Sequence, residues 1–91
     1  MTAIRIVITG RVQGVGYRAW AVAMASSLGL KGWVRNRSDG TVEALFHGEE
    51  TVIEAMIDAC KEGPPAARVD KIVSYECEEE INERFTARPT V

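Results

Sequence analysis

Histidine is nearly missing from this chain: His47 is the only one among 91 residues. A Ser-His-Asp or Cys-His constellation would have to run through that single imidazole. It falls on a predicted strand, on the side opposite Phe46, and reads as a surface residue. Cysteine is almost as scarce. Cys60 and Cys77 lie on different predicted elements, match no metal-ligand spacing, and read as buried, reduced core residues of a cytoplasmic protein. No residue group resembles a zinc or magnesium cluster, so no metal and no cofactor is expected. No apolar run approaches the roughly eighteen residues of a membrane span. No charged-then-apolar signal segment precedes the first strand pattern. Basic excess is missing too, and a net charge of −2 argues against a nucleic-acid partner. Without repeats, linkers or low-complexity tracts, residues 1–91 are expected to form one domain around one core, working as a monomer.

What is present is ordinary in bulk and uneven in place. Hydrophobic residues make up 46% and charged residues 26%, the balance of a soluble globular chain. Arg5, Arg11, Arg18, Arg35 and Arg37 all fall in the first half, whereas Glu76, Glu78, Glu79, Glu80 and Glu83 gather near the C-terminus. The first half should therefore carry a locally positive field, and the last part a solvated acidic surface.

The periodicities give an element order. Ile4, Ile6 and Ile8 alternate with Arg5, Val7 and Thr9 as a first strand with one strongly apolar face. Tyr17, Ala21, Met24, Ala25 and Leu28 recur at helical spacing from Tyr17 to Leu28, and Gly29 suits the stop. Ala19, Val22 and Ala23 leave the outer side of that helix bare of charge. Trp20 and Trp33 read as packing residues. Gly32 to Arg37 and Thr41 to His47 are two strands joined by the turn Ser38-Asp39-Gly40. If Val34 faces the core, Asn36 points the same way, and an inward amide needs partners or a job. A second helix runs from Glu49 to Glu62, with Ile53, Met56, Ile57 and Cys60 as its buried stripe. Val69 to Cys77 is a fourth strand in which Ile72 breaks the parity of Val69, Val73 and Tyr75, as a bulge would. Phe85 to Arg88 closes the chain as a short last strand. The order βαββαβ plus a strand, with right-handed crossovers, places both helices on one face of a mixed, mainly antiparallel sheet. That is an α+β, ferredoxin-like sandwich.

The chemistry concentrates between Gly10 and Arg18, Gly-Arg-Val-Gln-Gly-Val-Gly-Tyr-Arg. Glycines there permit conformations in which successive N–H groups turn inward together. The helix behind adds its free N–H groups and the positive end of its dipole. Arg18 sets a forked, permanent cation at the mouth. Such a site takes an oxyanion, above all a phosphate, on the N–H groups of Gly14, Val15, Gly16, Tyr17 and Arg18. Two phosphate motifs compete and fail. Gly14-x-Gly16-x-x-Ala19 fits a dinucleotide pattern, but Asp39, at the acidic position, belongs to a hairpin turn. No Gly-Lys-Ser/Thr is present for a Walker loop. A cradle, one arginine and one inward asparagine are too weak an apparatus for a stable phosphate ester. They suffice for a mixed anhydride, whose carboxylate leaving group needs no general acid. Asn36, with one acceptor and two donors, could hold a water in line with phosphorus.

The same stretch resembles the signature of the acylphosphatase family, Gly-x-Val-Gln-Gly-Val-x-(Phe or Tyr)-Arg, at every specified position. A second signature is matched by Gly32-Trp33-Val34-Arg35-Asn36, then Gly40, Val42 and Gly48, with looser similarity in Gly63 to Val69 and Phe85 to Arg88. The resemblance implies the ferredoxin-like fold and metal-free hydrolysis of a small acyl phosphate to carboxylate and phosphate. It implies that Arg18 binds the phosphoryl group and that Asn36 orients the attacking water. Gly16 stands at a variable position, which should loosen the loop. Two readings from other classes stay open: a module that senses or carries a small anion, and an RNA-binding domain, which the charge and the lack of paired aromatics on central strands disfavour. A hydrogenase-maturation enzyme carrying such a domain is not expected, because the chain stops where the domain does.

Overall fold

Alternation becomes a central strand. Ile6 and Ile8 turn one way and are fully buried, while Arg5 and Val7, which alternate with them, turn the other way. The computed structural model describes residues 2–91 and follows the order β1 (Thr2–Arg11), α1 (Tyr17–Ser27), β2 (Lys31–Asn36), β3 (Val42–Gly48), α2 (Glu50–Cys60), β4 (Arg68–Cys77) and β5 (Thr86–Ala87). The five strands form one sheet in the order β4-β1-β3-β2-β5. Every neighbouring pair is antiparallel except β2 and β5, which run parallel through Trp33–Thr86 and Val34–Ala87.

Both helices lie on one face of this sheet. Tyr17, Ala21 and Ala25 from α1 and Ile53, Met56 and Cys60 from α2 share one apolar cluster with Ile6, Ile8, Val34, Val42, Ala44 and Phe46. The ring of Phe85 stacks on Phe46 at 5.5 Å and closes the cluster beside β5. Trp20 meets Tyr17 edge to face at 5.4 Å and packs as the sequence suggests.

The parity break in β4 is a bulge. Thr9 pairs with Lys71 but Gly10 pairs with Val69, so Asp70 is the extra residue. The insertion returns Val69 to the side of Ile72, and both pack against the core. Val73 and Tyr75 face the other way, so Val69 does not share their parity as the sequence pattern suggested. Gly10 makes the approach possible: at φ +134 its missing Cβ would collide with the Arg68 carbonyl.

The face without helices is closed by side chains. Leu45 is fully buried there, and Trp33 is 4% exposed. The guanidinium groups of Arg35 and Arg88 lie over the Trp33 ring at 4.6 and 4.9 Å, and that of Arg5 over Tyr75 at 4.4 Å. Glu43 is buried between the rows and accepts from Arg5 at 2.9 Å and from Arg35 at 2.7 Å.

Two expectations change. Cys77 is only half-buried, because it ends an edge strand, while Cys60 is fully buried; both are free thiols. His47 is not a plain surface residue. It sits at the end of β3 between Ala3 and Lys31, and its Nδ1 is buried with no hydrogen-bond partner among the described residues.

Candidate active site

Two anchors hold the loop between β1 and α1. The side chains of Val12 and Tyr17 are buried, and that of Val15 packs against the core between them. Fixing three side chains inward leaves the backbone at Gly14 and Gly16 exposed. Gly14 has φ +71 and Gly16 φ +81, both left-handed, whereas Val15 keeps a negative φ. Alternating handedness turns successive N–H groups toward one point, the geometry of an anion nest. A Cβ at either glycine would meet nothing within 4 Å, so backbone conformation rather than space selects glycine there. At Gly16 the residue suits its place without strain.

Gly16 is also the N-cap of α1, and no side chain caps the helix. The first helical bond runs from the Trp20 N–H to the Gly16 carbonyl at 3.0 Å. The N–H groups of residues 14 to 19 donate to no acceptor among the described residues. These free donors and the positive end of α1 coincide. Arg18, in the first turn, is half-buried and forms no ion pair among the described residues.

Asn36 approaches from the end of β2, where it pairs with Val42. The following turn is fixed locally. Asp39 accepts from the Thr41 hydroxyl at 2.6 Å and from the Thr41 N–H at 3.0 Å. Those two bonds, with a smaller contribution from Arg37, hold its carboxyl below the usual range. Asp39 therefore serves the hairpin and no ribose. The C-terminal tail braces the other side: the Val91 N–H donates to the Asn36 carbonyl at 3.2 Å, and the Val91 carbonyl accepts from Ser38 at 2.7 Å.

The structure brings these parts to one cavity of about 340 Å³, lined by Val12, Gly14, Gly16, Tyr17, Arg18, Ala19, Asn36 and Ala87. Of the residues named from sequence, Gly14, Gly16, Tyr17, Arg18 and Asn36 line it. Val15 does not, since its side chain is spent on the core. The Tyr17 side chain is likewise structural: its hydroxyl donates to the Cys60 carbonyl at 2.6 Å. Burial pushes that hydroxyl far above the usual phenol range and pushes the Cys60 thiol up to about 12. Neither group ionises at neutral pH, so neither is a nucleophile. Sequence reasoning missed the wall residues Val12, Ala19 and Ala87, which carry no polar group to mark them. It also assigned no role to Gln13, whose amide reaches the hairpin.

A larger cavity of about 660 Å³ opens at the far end of β1, beside Thr2, Ala3, His47 and Cys77. Glu50, Glu76, Glu78, Glu79 and Glu80 line it, and their field repels a phosphoryl group. Size does not decide the matter; the sign of the charge does.

The acylphosphatase family model matches residues 4–87. The chain belongs to the acylphosphatase family. It is 61% identical over 72 residues to the acylphosphatase of Rhodospirillum rubrum, covering 79% of each. It is 48% identical over 94 residues to that of Bradyrhizobium diazoefficiens, covering 97% of this chain and 95% of the relative. The crystal structure of the acylphosphatase from Bacillus subtilis matches with a TM-score of 0.92 at 38% identity, over 97% of this chain and 99% of that one. A match at TM-score 0.83 and 38% identity, over 98% of this chain, covers 12% of full-length HypF in its phosphate- and nucleotide-bound form. As an acylphosphatase, the chain is a hydrolase by family, and both sequence signatures are explained by one membership. No described helix is long and apolar enough to cross a membrane.

Proposed function

We propose that this acylphosphatase hydrolyses the carboxyl–phosphate anhydride of small acyl phosphates by in-line attack of a water at the cavity of Arg18 and Asn36. The observation that supports the reading is convergence: an uncapped helix N-terminus, a two-glycine nest, one unpaired guanidinium and one amide meet around a single space. The backbone N–H groups from Gly14 to Arg18 and the Arg18 fork take the phosphoryl oxygens. They act where charge accumulates in the transition state. The Asn36 amide oxygen accepts a hydrogen bond from the water and aims the water oxygen at phosphorus. The new P–O bond forms as the bond to the acyl oxygen breaks, and its electron pair leaves with the carboxylate. The proton released from the water ends on phosphate or in bulk solvent. No step calls for a metal, a cofactor, a histidine or a thiol. Two free cysteines suit a reducing compartment, and we place the protein in the cytosol as a monomer.

The test is release of inorganic phosphate from acetyl phosphate by the purified protein, with and without chelator. Turnover that chelator leaves unchanged is expected. Phosphate binding without turnover would make the chain an anion sensor, and loss of activity on chelation would end the metal-free mechanism.

A further inference from the structure

The nest and the water-holding amide come from strands that do not touch. The loop follows β1 and Asn36 ends β2, but β3 lies between those two strands in the sheet. Something must set the spacing between phosphorus and water across that gap. Gln13 is placed to do so. It stands between the buried Val12 and the first nest glycine, Gly14, and is itself half-buried. Its Nε2 donates to the Arg37 carbonyl at 2.7 Å and to the Thr41 carbonyl at 2.8 Å.

Those two acceptors are the jaws of the hairpin that follows Asn36. Arg37 is the next residue after Asn36, and its N–H closes onto the same Thr41 carbonyl at 2.9 Å. A carboxamide nitrogen has two protons, and here each has its own carbonyl. Rotating the side chain would forfeit both bonds, so the amide has one satisfied orientation. Among the described residues, no other side chain of the loop hydrogen-bonds to this hairpin. With Val91 holding the Asn36 carbonyl and Gln13 the carbonyl of the next residue, Arg37, two successive peptides at the end of β2 are held.

Resting on the proposed hydrolysis, we infer that Gln13 is a positioning residue: it fixes the Asn36 amide at its distance from a phosphoryl group held in the nest. It touches neither substrate nor water. A misplacement of about 1 Å can cost on the order of a hundredfold in rate, so a clamp of this kind acts on kcat.

Two variants test it. Gln13→Met keeps length and removes both donors. Its kcat for acetyl phosphate should fall about tenfold to a hundredfold, while the inhibition constant of inorganic phosphate stays within about twofold of wild type. Gln13→Glu sets a carboxylate against two carbonyls at neutral pH, and protonation returns one donor. Its kcat relative to wild type should therefore rise as pH falls toward about 5, whereas the ratio for Gln13→Met stays flat. Unchanged kcat in Gln13→Met overturns the inference. So does phosphate inhibition that weakens in step with kcat, which would make Gln13 a shaper of the nest. Should Gln13→Met not fold, the pH profile of Gln13→Glu decides alone, and a profile parallel to wild type overturns the clamp. A wild-type protein that leaves acetyl phosphate intact fails the proposed function itself, a result distinct from an active wild type with an indifferent Gln13.

Discussion

The Tyr17 hydroxyl donates to the backbone carbonyl of Cys60 at 2.6 Å, joining the first turn of α1 to the last turn of α2. A carbonyl at a helix end lacks an intrahelical partner, and here a buried phenol supplies one. The residue that opens the helix behind the glycine loop is thus held by the far end of the other helix.

Removing that bond alone should be visible in stability. Tyr17→Phe leaves a buried acceptor unsatisfied at a cost of about 1–3 kcal/mol. For a domain of this size, each kcal/mol shifts Tm by about 4–8 °C. Thermal denaturation followed by circular dichroism measures it. An unchanged Tm would mean that the ring carries the whole contribution.

Arg18 and Asn36 should fail differently. Arg18→Ala should lose phosphate affinity and turnover together, and Arg18→Lys should remain poor because a point charge cannot reproduce the fork. Asn36→Ala should keep phosphate affinity near wild type while kcat falls about a hundredfold or more. Calorimetry with phosphate beside steady-state hydrolysis of acetyl phosphate separates the two. If Asn36→Ala loses phosphate affinity as well, Asn36 is a ligand of the anion.

The two thiols should react unequally. With the Cys60 thiol buried and its pKa pushed up to about 12, native protein at pH 8 should take one equivalent of a maleimide, at Cys77. Denatured protein should take two. Intact mass after labelling distinguishes them, and native double labelling would show that the core around Cys60 opens readily.

Alkali should weaken the fold. Tyr17 and Cys60 stay neutral in the folded chain but ionise in the unfolded one, so the unfolded state binds fewer protons at high pH. The Cys60 contribution is fully present below the ordinary thiol value of 9.0 and is lost as pH rises from there toward 12, and that of Tyr17 begins to be lost only above the ordinary phenol value of 10.0. Each such group costs about 1.4 kcal/mol per pH unit in that window. Urea midpoints between pH 8 and pH 11 should fall, and less steeply in Cys60→Ala. Parallel curves for the two proteins would remove Cys60 from this account.

Glu43 holds the helix-free face together. Glu43→Ala should cost about 1.5–3 kcal/mol, the range for hydrogen bonds to charged groups, because it unpairs Arg5 and Arg35 at once. Both arginines keep some contact with water, which keeps the loss below that of a fully buried pair. Urea unfolding measures it, and a loss under about 0.5 kcal/mol would reduce the pair to surface decoration.

The parts of the fold written in periodicity were legible: two helices, the alternating strands and the core stripe of Ile53, Met56 and Cys60. So was the glycine turn before α1, because two left-handed positions before a helix leave glycines in the sequence. The bulge at Asp70 was visible as a broken parity, but which residue was extra was not, since that depends on the pairing partner. Cys77 was misjudged because an apolar residue on an edge strand has one neighbour strand instead of two. Gln13 stood at a specified position of the first signature, but nothing in the sequence marked its role. Its job lies in two backbone carbonyls 24 and 28 residues away, and backbone carbonyls have no sequence signature.

The bulge in β4 has a consequence beyond register. An open sheet ends in two rows of unpaired backbone groups, on which a strand from another molecule can add. On one side, the extra residue Asp70 bends the row, and Lys71 and Glu76 charge it. On the other, β5 is two residues long and Pro89 follows shortly after it. Neither rim offers a long, flat, neutral template, so the irregularity that restores the core parity of Val69 and Ile72 also guards the sheet against growing by intermolecular pairing.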